Sequence, residues 1–156
     1  MRGALLFLAE HTEPKANAKL IVVKFTRIYS EVVHKLLASN GFALELFAVE
    51  DLAGGWKMVV MERLSGWVML GEMPRKERLQ YKGKLEAALR VIHDREFVHG
   101  DVRWPNILVS GDNINFIDFD NCGKEGVKRY TREWDHTKHR EDAKEGDLML
   151  RVREGS

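Results

Sequence analysis

The sequence predicts an α+β fold, on three observations. Short apolar runs come in pairs around turn-forming stretches within residues 1–64, and one segment of helical period interrupts them. A longer amphipathic segment then leads into a polar loop and a last pair of runs. Strands grouped apart from the main helix indicate an antiparallel sheet beside a helical part, not an alternating parallel sheet.

In chain order, "GALLFLAE" and "KLIVVKF" flank "HTEPKANA", whose Pro, Asn and charges mark a turn, so a hairpin is expected. One positive charge before the first run invites a secretion-signal reading. The run covers only residues 4–9 and meets Glu10 at once, which favours a strand. "YSEVVHKLLASNG" changes period: Val32, Val33, Leu36 and Leu37 share a helical face. Ser30 suits its N-cap, and Asn40-Gly41 its stop. "FALELFAVEDL" and "WKMVVMERL" form a second hairpin around "AGG", followed by a hinge at "SGW". A Pro-initiated helix starts near Met73, with Tyr81, Leu85, Ala88, Leu89 and Ile92 on one face. "REFVHGDVRWPN" ends that helix in a loop, and "ILVSGDNINFIDF" is a small hairpin turning at "SGDN". After Gly123 the chain is charged and poor in apolar residues up to "GDLMLRV".

The 156 residues are enough for one compact domain, with 44% hydrophobic and 31% charged residues, values that suit a globular chain. A net charge of +1 gives no global field for nucleic acid or an anionic membrane, and neither is expected as a partner. No run approaches a transmembrane span. Cys122 is the single cysteine, so an intrachain disulfide and a multi-thiolate zinc site are excluded. This fits a reducing, intracellular compartment, cytoplasmic or nuclear. Cys122 itself reads as an inert buried thiol.

The chemistry gathers in two stretches, "HGDVRWPNILV" and "FIDFDNCG". In a hairpin turning at "SGDN", the residue before "ILV" and the residue after "NFI" lie near each other. Asn106 and Asp118 then share one cleft and offer oxygen ligands of the kind magnesium takes, together with water and phosphate. Asp101 faces the same cleft without needing to touch the metal. Turn and capping hydrogen bonds are the plain alternative for Asp101 and Asn106. A surface lysine on an edge strand is the plain alternative for Lys24. His99 reads as structural support for the loop rather than a ligand. His136 and His139 read as part of a solvated charged segment.

In this order the motifs resemble the protein-kinase signature set, a catalytic loop H-R-D-x-x-x-x-N followed by D-F-G. The chain has His99-Gly100-Asp101, Asn106 at the matching spacing, then Asp118-Phe119-Asp120. "VVKF" resembles the V-A-I-K strand. The likeness spans residues 4–123, and "HGDVRWPNILV" with "IDFD" is most similar to the fungal-type protein kinase family. It implies a single truncated kinase-like domain over 1–156, with a sheet-and-helix lobe at 1–64 and a shortened helical lobe with the catalytic-loop hairpin at 65–156. It also implies ATP and Mg2+ as cofactors. Lys24 would contact the phosphates with Glu31 as its helix partner, and Glu62 and Leu64 would line the adenine site. Asp101 would accept the hydroxyl proton, Arg103 would meet the γ-phosphate, and Asn106 and Asp118 would hold the metal. Asp147 would echo the buried acid of that family's next helix.

The sequence also departs from that pattern. No glycine-rich loop precedes "ALLFLAE", Gly100 stands for an arginine, Asp120 stands for a glycine, and no A-P-E follows. An ATP- and magnesium-dependent phosphotransferase acting on Ser/Thr hydroxyls is the first expectation, with a protein as substrate or partner. A nucleotide-binding pseudokinase scaffold is the second. A metal-dependent hydrolase using His99, Asp101, Asp118 and Asp120 is the third. Apolar surface left uncovered by a missing lobe allows self-association.

Overall fold

The computed structural model describes residues 4–11 and 19–127. The segment holding His136, His139 and Asp147 lies outside them.

The two expected hairpins form and merge into one antiparallel sheet. Strands β1 (Leu5–His11), β2 (Lys19–Thr26), β3 (Leu46–Leu52) and β4 (Trp56–Glu62) lie in the order β1-β2-β4-β3. Lys24 pairs with Leu6 on one side and Val59 on the other, so it sits on an inner strand and is only 7% exposed. The edge-lysine alternative is thereby excluded. The edge belongs instead to β1, where Leu5, Leu6, Phe7 and Leu8 are each more than half exposed.

Helix α1 (Glu31–Ala38) crosses between β2 and β3. The Ser30 hydroxyl accepts the Val33 N–H at 3.5 Å, as an N-cap should. Gly41, at φ +76°, takes the left-handed conformation that ends the helix. Val33 and Leu37 are buried, whereas Val32 is 57% exposed. The expected face was therefore one residue too wide: the inward stripe follows Val33, Leu36 and Leu37.

The second half holds α2 (Arg75–Arg78), α3 (Lys82–His93), and the short strands β5 (Val68–Met69), β6 (Phe97–Val98), β7 (Ile107–Ser110), β8 (Asn113–Phe116) and β9 (Gly123–Lys124). The single long helix expected from Met73 onward is instead two, joined by a tightened turn at Leu79–Tyr81. There the Tyr81 hydroxyl donates to the Gly111 carbonyl at 2.7 Å, tying the turn to the β7–β8 connection. The predicted stripe holds: Tyr81, Leu85, Ala88, Leu89 and Ile92 are all buried. The "SGDN" hairpin forms as β7–β8, and β5 adds a third strand to it.

The larger core cluster joins Val33 and Leu37 of α1 to the α3 stripe, to Ile107, Val109, Ile114 and Phe116 of the hairpin, and to Phe119. A smaller cluster, Leu44, Val59 and Met61, lies beneath the sheet. The Phe116 N–H donates to the Phe42 carbonyl at 2.8 Å, so the connection after α1 is stitched to the hairpin. The small and large parts are thus held face to face, with the chemistry-bearing loops between them.

Candidate functional site

Lys24 is placed by strand period. On β2, Val22, Lys24 and Thr26 point to one side of the sheet, and Lys24 and Thr26 are buried. From the other part of the molecule, the chain leaving β8 turns back beneath them. Asp118 adopts φ +64°, a left-handed conformation that Asp tolerates better than most residues. The Lys24 ammonium donates to Asp118 Oδ1 at 2.8 Å and to Asp120 Oδ1 at 2.6 Å. The other oxygen of Asp120 accepts the Thr26 hydroxyl at 3.0 Å.

The two carboxyls respond differently. Burial pushes Asp118 upward, but the hydrogen bond and charge of Lys24 outweigh it and hold the group below its ordinary range. Burial also raises Asp120. Lys24 and Thr26 pull it down and the charge of Asp118 pushes it up, and it ends above the ordinary range despite its shorter contact with Lys24. The backbone N–H of Asp120 serves Asp118, so one acid helps keep the other ionised.

Asp101, Arg103 and Asn106 form a second group. The Asn106 amide donates to the Asp101 carboxylate at 2.8 Å and to the Asp101 carbonyl at 3.0 Å. Both amide hydrogens are thus spent, and the side-chain oxygen is the atom left to ligate. The other Asp101 oxygen meets Arg103 Nε at 3.0 Å, with Arg103 itself well exposed. The Ile117 N–H donates to the Asn106 carbonyl at 2.9 Å, which brings the loop against the residue before Asp118. Asn106, just before β7, and Asp118, just after β8, carry hard oxygen donors of the kind magnesium takes.

His99 lies under the loop, 1% exposed, between the rings of Phe116 and Phe119. Burial drives its pKa down to about 4, against the pull of Asp118 and the Ile117 backbone. It is packed beneath the loop as a buried ring. Among the described residues no three His, Cys, Asp or Glu side chains converge as a metal site, so the hydrolase arrangement of His99, Asp101, Asp118 and Asp120 is not formed. Cys122 is buried.

Gly100 is required by the backbone. It sits at φ +75°, and a β-carbon there would overlap the Asn121 carbonyl oxygen. The arginine of the kinase pattern has no room because the segment after Asp120 runs directly over the loop.

One expected pairing fails. Glu31 does not reach Lys24; its carboxylate meets Lys35 at 2.5 Å, one turn along α1. Glu31 opens the helix on the exposed side, where an i,i+4 partner is available. Three residues near the site were not singled out from the sequence. Thr26 braces Asp120. The Tyr29 hydroxyl donates to His34 Nδ1 at 2.5 Å, while His34 Nε2 donates to the Leu44 carbonyl at 2.8 Å. The His34 ring in turn stacks on Phe119 at 4.3 Å. The period-2 spacing of Lys24 and Thr26 was the only available signal for this group.

Glu62 closes β4. Its N–H donates to the Glu45 carbonyl and its carboxylate accepts the Glu45 N–H at 3.3 Å, so its side chain is turned to that neighbour. Leu64 is half-buried, and with Val22 and Ile117 it packs on the cluster of Leu44, Val59 and Met61.

No family model matches the chain. Among solved structures it is similar to the kinase PK-1 of the Cydia pomonella granulovirus, with a TM-score of 0.62 and 20% identity over 78% of this chain. The match covers 48% of that kinase, so the chain spans about half its length. With the antiparallel sheet, α1 and the β7–β8 hairpin in these positions, the protein has a protein-kinase-like fold.

Proposed function

We propose that the protein is an ATP- and magnesium-dependent phosphotransferase of protein-kinase type, passing a γ-phosphoryl group to a Ser/Thr hydroxyl. The observation that carries this reading is the meeting of Lys24 with Asp118 beside the Asp101–Asn106 pair. A cation, a carboxylate, an amide oxygen and a second carboxylate are what phosphoryl transfer asks of a protein. Lys24 engages phosphate oxygens with a donor beyond the two given to carboxylates. Asn106 and Asp118 hold magnesium, which when bound supplies neutralisation of phosphate charge. Asp101, oriented by Asn106, takes the hydroxyl proton. Arg103, on the exposed side of Asp101, swings to the γ-phosphate. Val22, Leu64 and Ile117 form the apolar bed for the base, with the Glu62 main chain beside them.

The finer likeness to the fungal-type family rests on "HGDVRWPNILV" and "IDFD" alone. ATP dependence favours an intracellular site of action, and no described helix is long and apolar enough to cross a membrane. The edge of β1, which pairs with no second strand among the described residues, favours self-association. A nucleotide-binding scaffold is the second reading, favoured by the half-length match to the viral kinase. Calorimetric titration with ATP and magnesium, paired with a phosphate-transfer assay on a mixed Ser/Thr protein substrate, separates the readings. Binding with turnover is expected; binding without turnover gives the scaffold, and no binding removes both.

A further inference from the structure

We propose that Asp120, and not an acid on α1, is the residue that positions Lys24 for the nucleotide phosphates; this rests on the function proposed above. Asp120 stands where the kinase pattern has glycine, a position with no side chain to offer. Here it contributes a carboxylate with both oxygens committed to β2: Oδ1 to Lys24 at 2.6 Å and Oδ2 to Thr26 at 3.0 Å. Thr26 is itself fixed, its hydroxyl oxygen accepting the Ile28 N–H at 3.4 Å. The clamp therefore spans two successive inward positions of one strand, which fixes where along β2 the Lys24 head can lie.

The backbone beneath the clamp is held from several sides. The Ser30 N–H donates to the Phe119 carbonyl at 3.1 Å, the Phe119 ring stacks on His34, and Asn121 closes on Gly100. Asp120 thus hangs from a fixed segment, whereas Glu31 is committed to Lys35 on the outside of α1. The two acids on Lys24 also divide by role. A metal ion held by Asp118 would weaken that residue's hold on the ammonium, and Asp120 would remain as its counter-charge. Lys24 then keeps its place without any contribution from the helix.

The test uses the full chain in two measurements. Without nucleotide, the rate at which an amine-selective acylating reagent labels Lys24 is followed by mass spectrometry. Asp120→Asn is expected to speed labelling several-fold, Thr26→Val less so, and Glu31→Gln not at all. With nucleotide, Asp120→Asn is expected to weaken ATP·Mg binding about tenfold, equivalent to about 1.4 kcal/mol. It should leave adenosine binding unchanged, because adenosine has no phosphate for Lys24. Asp120→Glu should recover part of the loss. Thr26→Val keeps the test open if Asp120→Asn fails to fold. Unchanged labelling in both Asp120→Asn and Thr26→Val overturns the proposal whether or not ATP binds. So does equal or tighter ATP binding by Asp120→Asn, which would make Asp120 a competitor of the phosphates. Absence of ATP binding in the parent, with the labelling pattern as expected, counts against the function proposed above and leaves Asp120 as the residue that places Lys24.

Discussion

Lys24 and Asp118 stand 94 positions apart in the chain and 2.8 Å apart in the fold. Their contact joins the sheet to the loop after β8, and Asp120 makes it a three-membered ion cluster. Lys24→Ala should therefore destabilise the protein even without nucleotide, because two neighbouring carboxylates lose their shared cation. Breaking a fully buried pair costs about 3–5 kcal/mol, and discounting for the water that reaches a third of Asp118 leaves about 2. Urea denaturation reads this directly. Adding Asp120→Asn to Lys24→Ala should return part of the loss, since it removes one of the stranded charges.

Asp118→Ala and Asp101→Asn should separate binding from chemistry. The first removes a proposed metal ligand and should weaken magnesium-dependent ATP binding. The second keeps the Asn106 contact largely in place and should spare binding, while lowering turnover by about 10²–10⁴, the range for loss of a general base. Titration and transfer assays on the same samples report the two effects.

Gly100→Ala should cost about 2–4 kcal/mol, as a left-handed backbone and a blocked β-carbon act together. The substitution pushes Asn121 outward and with it Asp120. Faster labelling of Lys24 in this variant is the accompanying local sign, measured under conditions where circular dichroism shows the fold retained.

Stability should fall as pH drops from about 6.5 to about 4. His34 and His99 are both held by burial to about 4, whereas an unfolded imidazole titrates at 6.5. Between those values the unfolded chain takes up protons that the folded chain refuses, so acid favours unfolding. Each histidine contributes up to about 3 kcal/mol across this window. Asp118, lowered in the fold, adds loss at still lower pH, and Asp120, raised, opposes it. Denaturation midpoints at pH 7, 5.5 and 4.5 should show the slope, and His34→Gln should flatten it.

The strands and helices of this protein were readable where a period runs long enough to register. β1 to β4 carry apolar runs of strand length, and the α3 stripe repeats over three turns. β5, β6 and β9 span two residues each, too short for any alternation. Val32 shows the limit for an eight-residue helix, where the apolar face is too short to fix its centre. At the site, the approach of Asn106 to the residue before Asp118 was legible because one hairpin joins them, and Asp101 meets Asn106 within one loop. The bond from Thr26 to Asp120 was not, since it joins residues 94 apart by a contact that no local pattern encodes. Glu31 was assigned by analogy with a helix acid, and its neighbour Lys35 claimed it first.

The stitching of the α1 connection to β8 has a mechanical consequence. Val33 and Leu37 share a core with α3, Phe42 is bonded to Phe116, and Ser30 is bonded to Phe119. Helix α1 is therefore tied to the lower body, and the four-stranded sheet meets that body through the Lys24 cluster and the packing of Leu44, Val59 and Met61 against Ile117. The ion cluster around Lys24 is then a latch between sheet and base, and each opening of the cleft must release it.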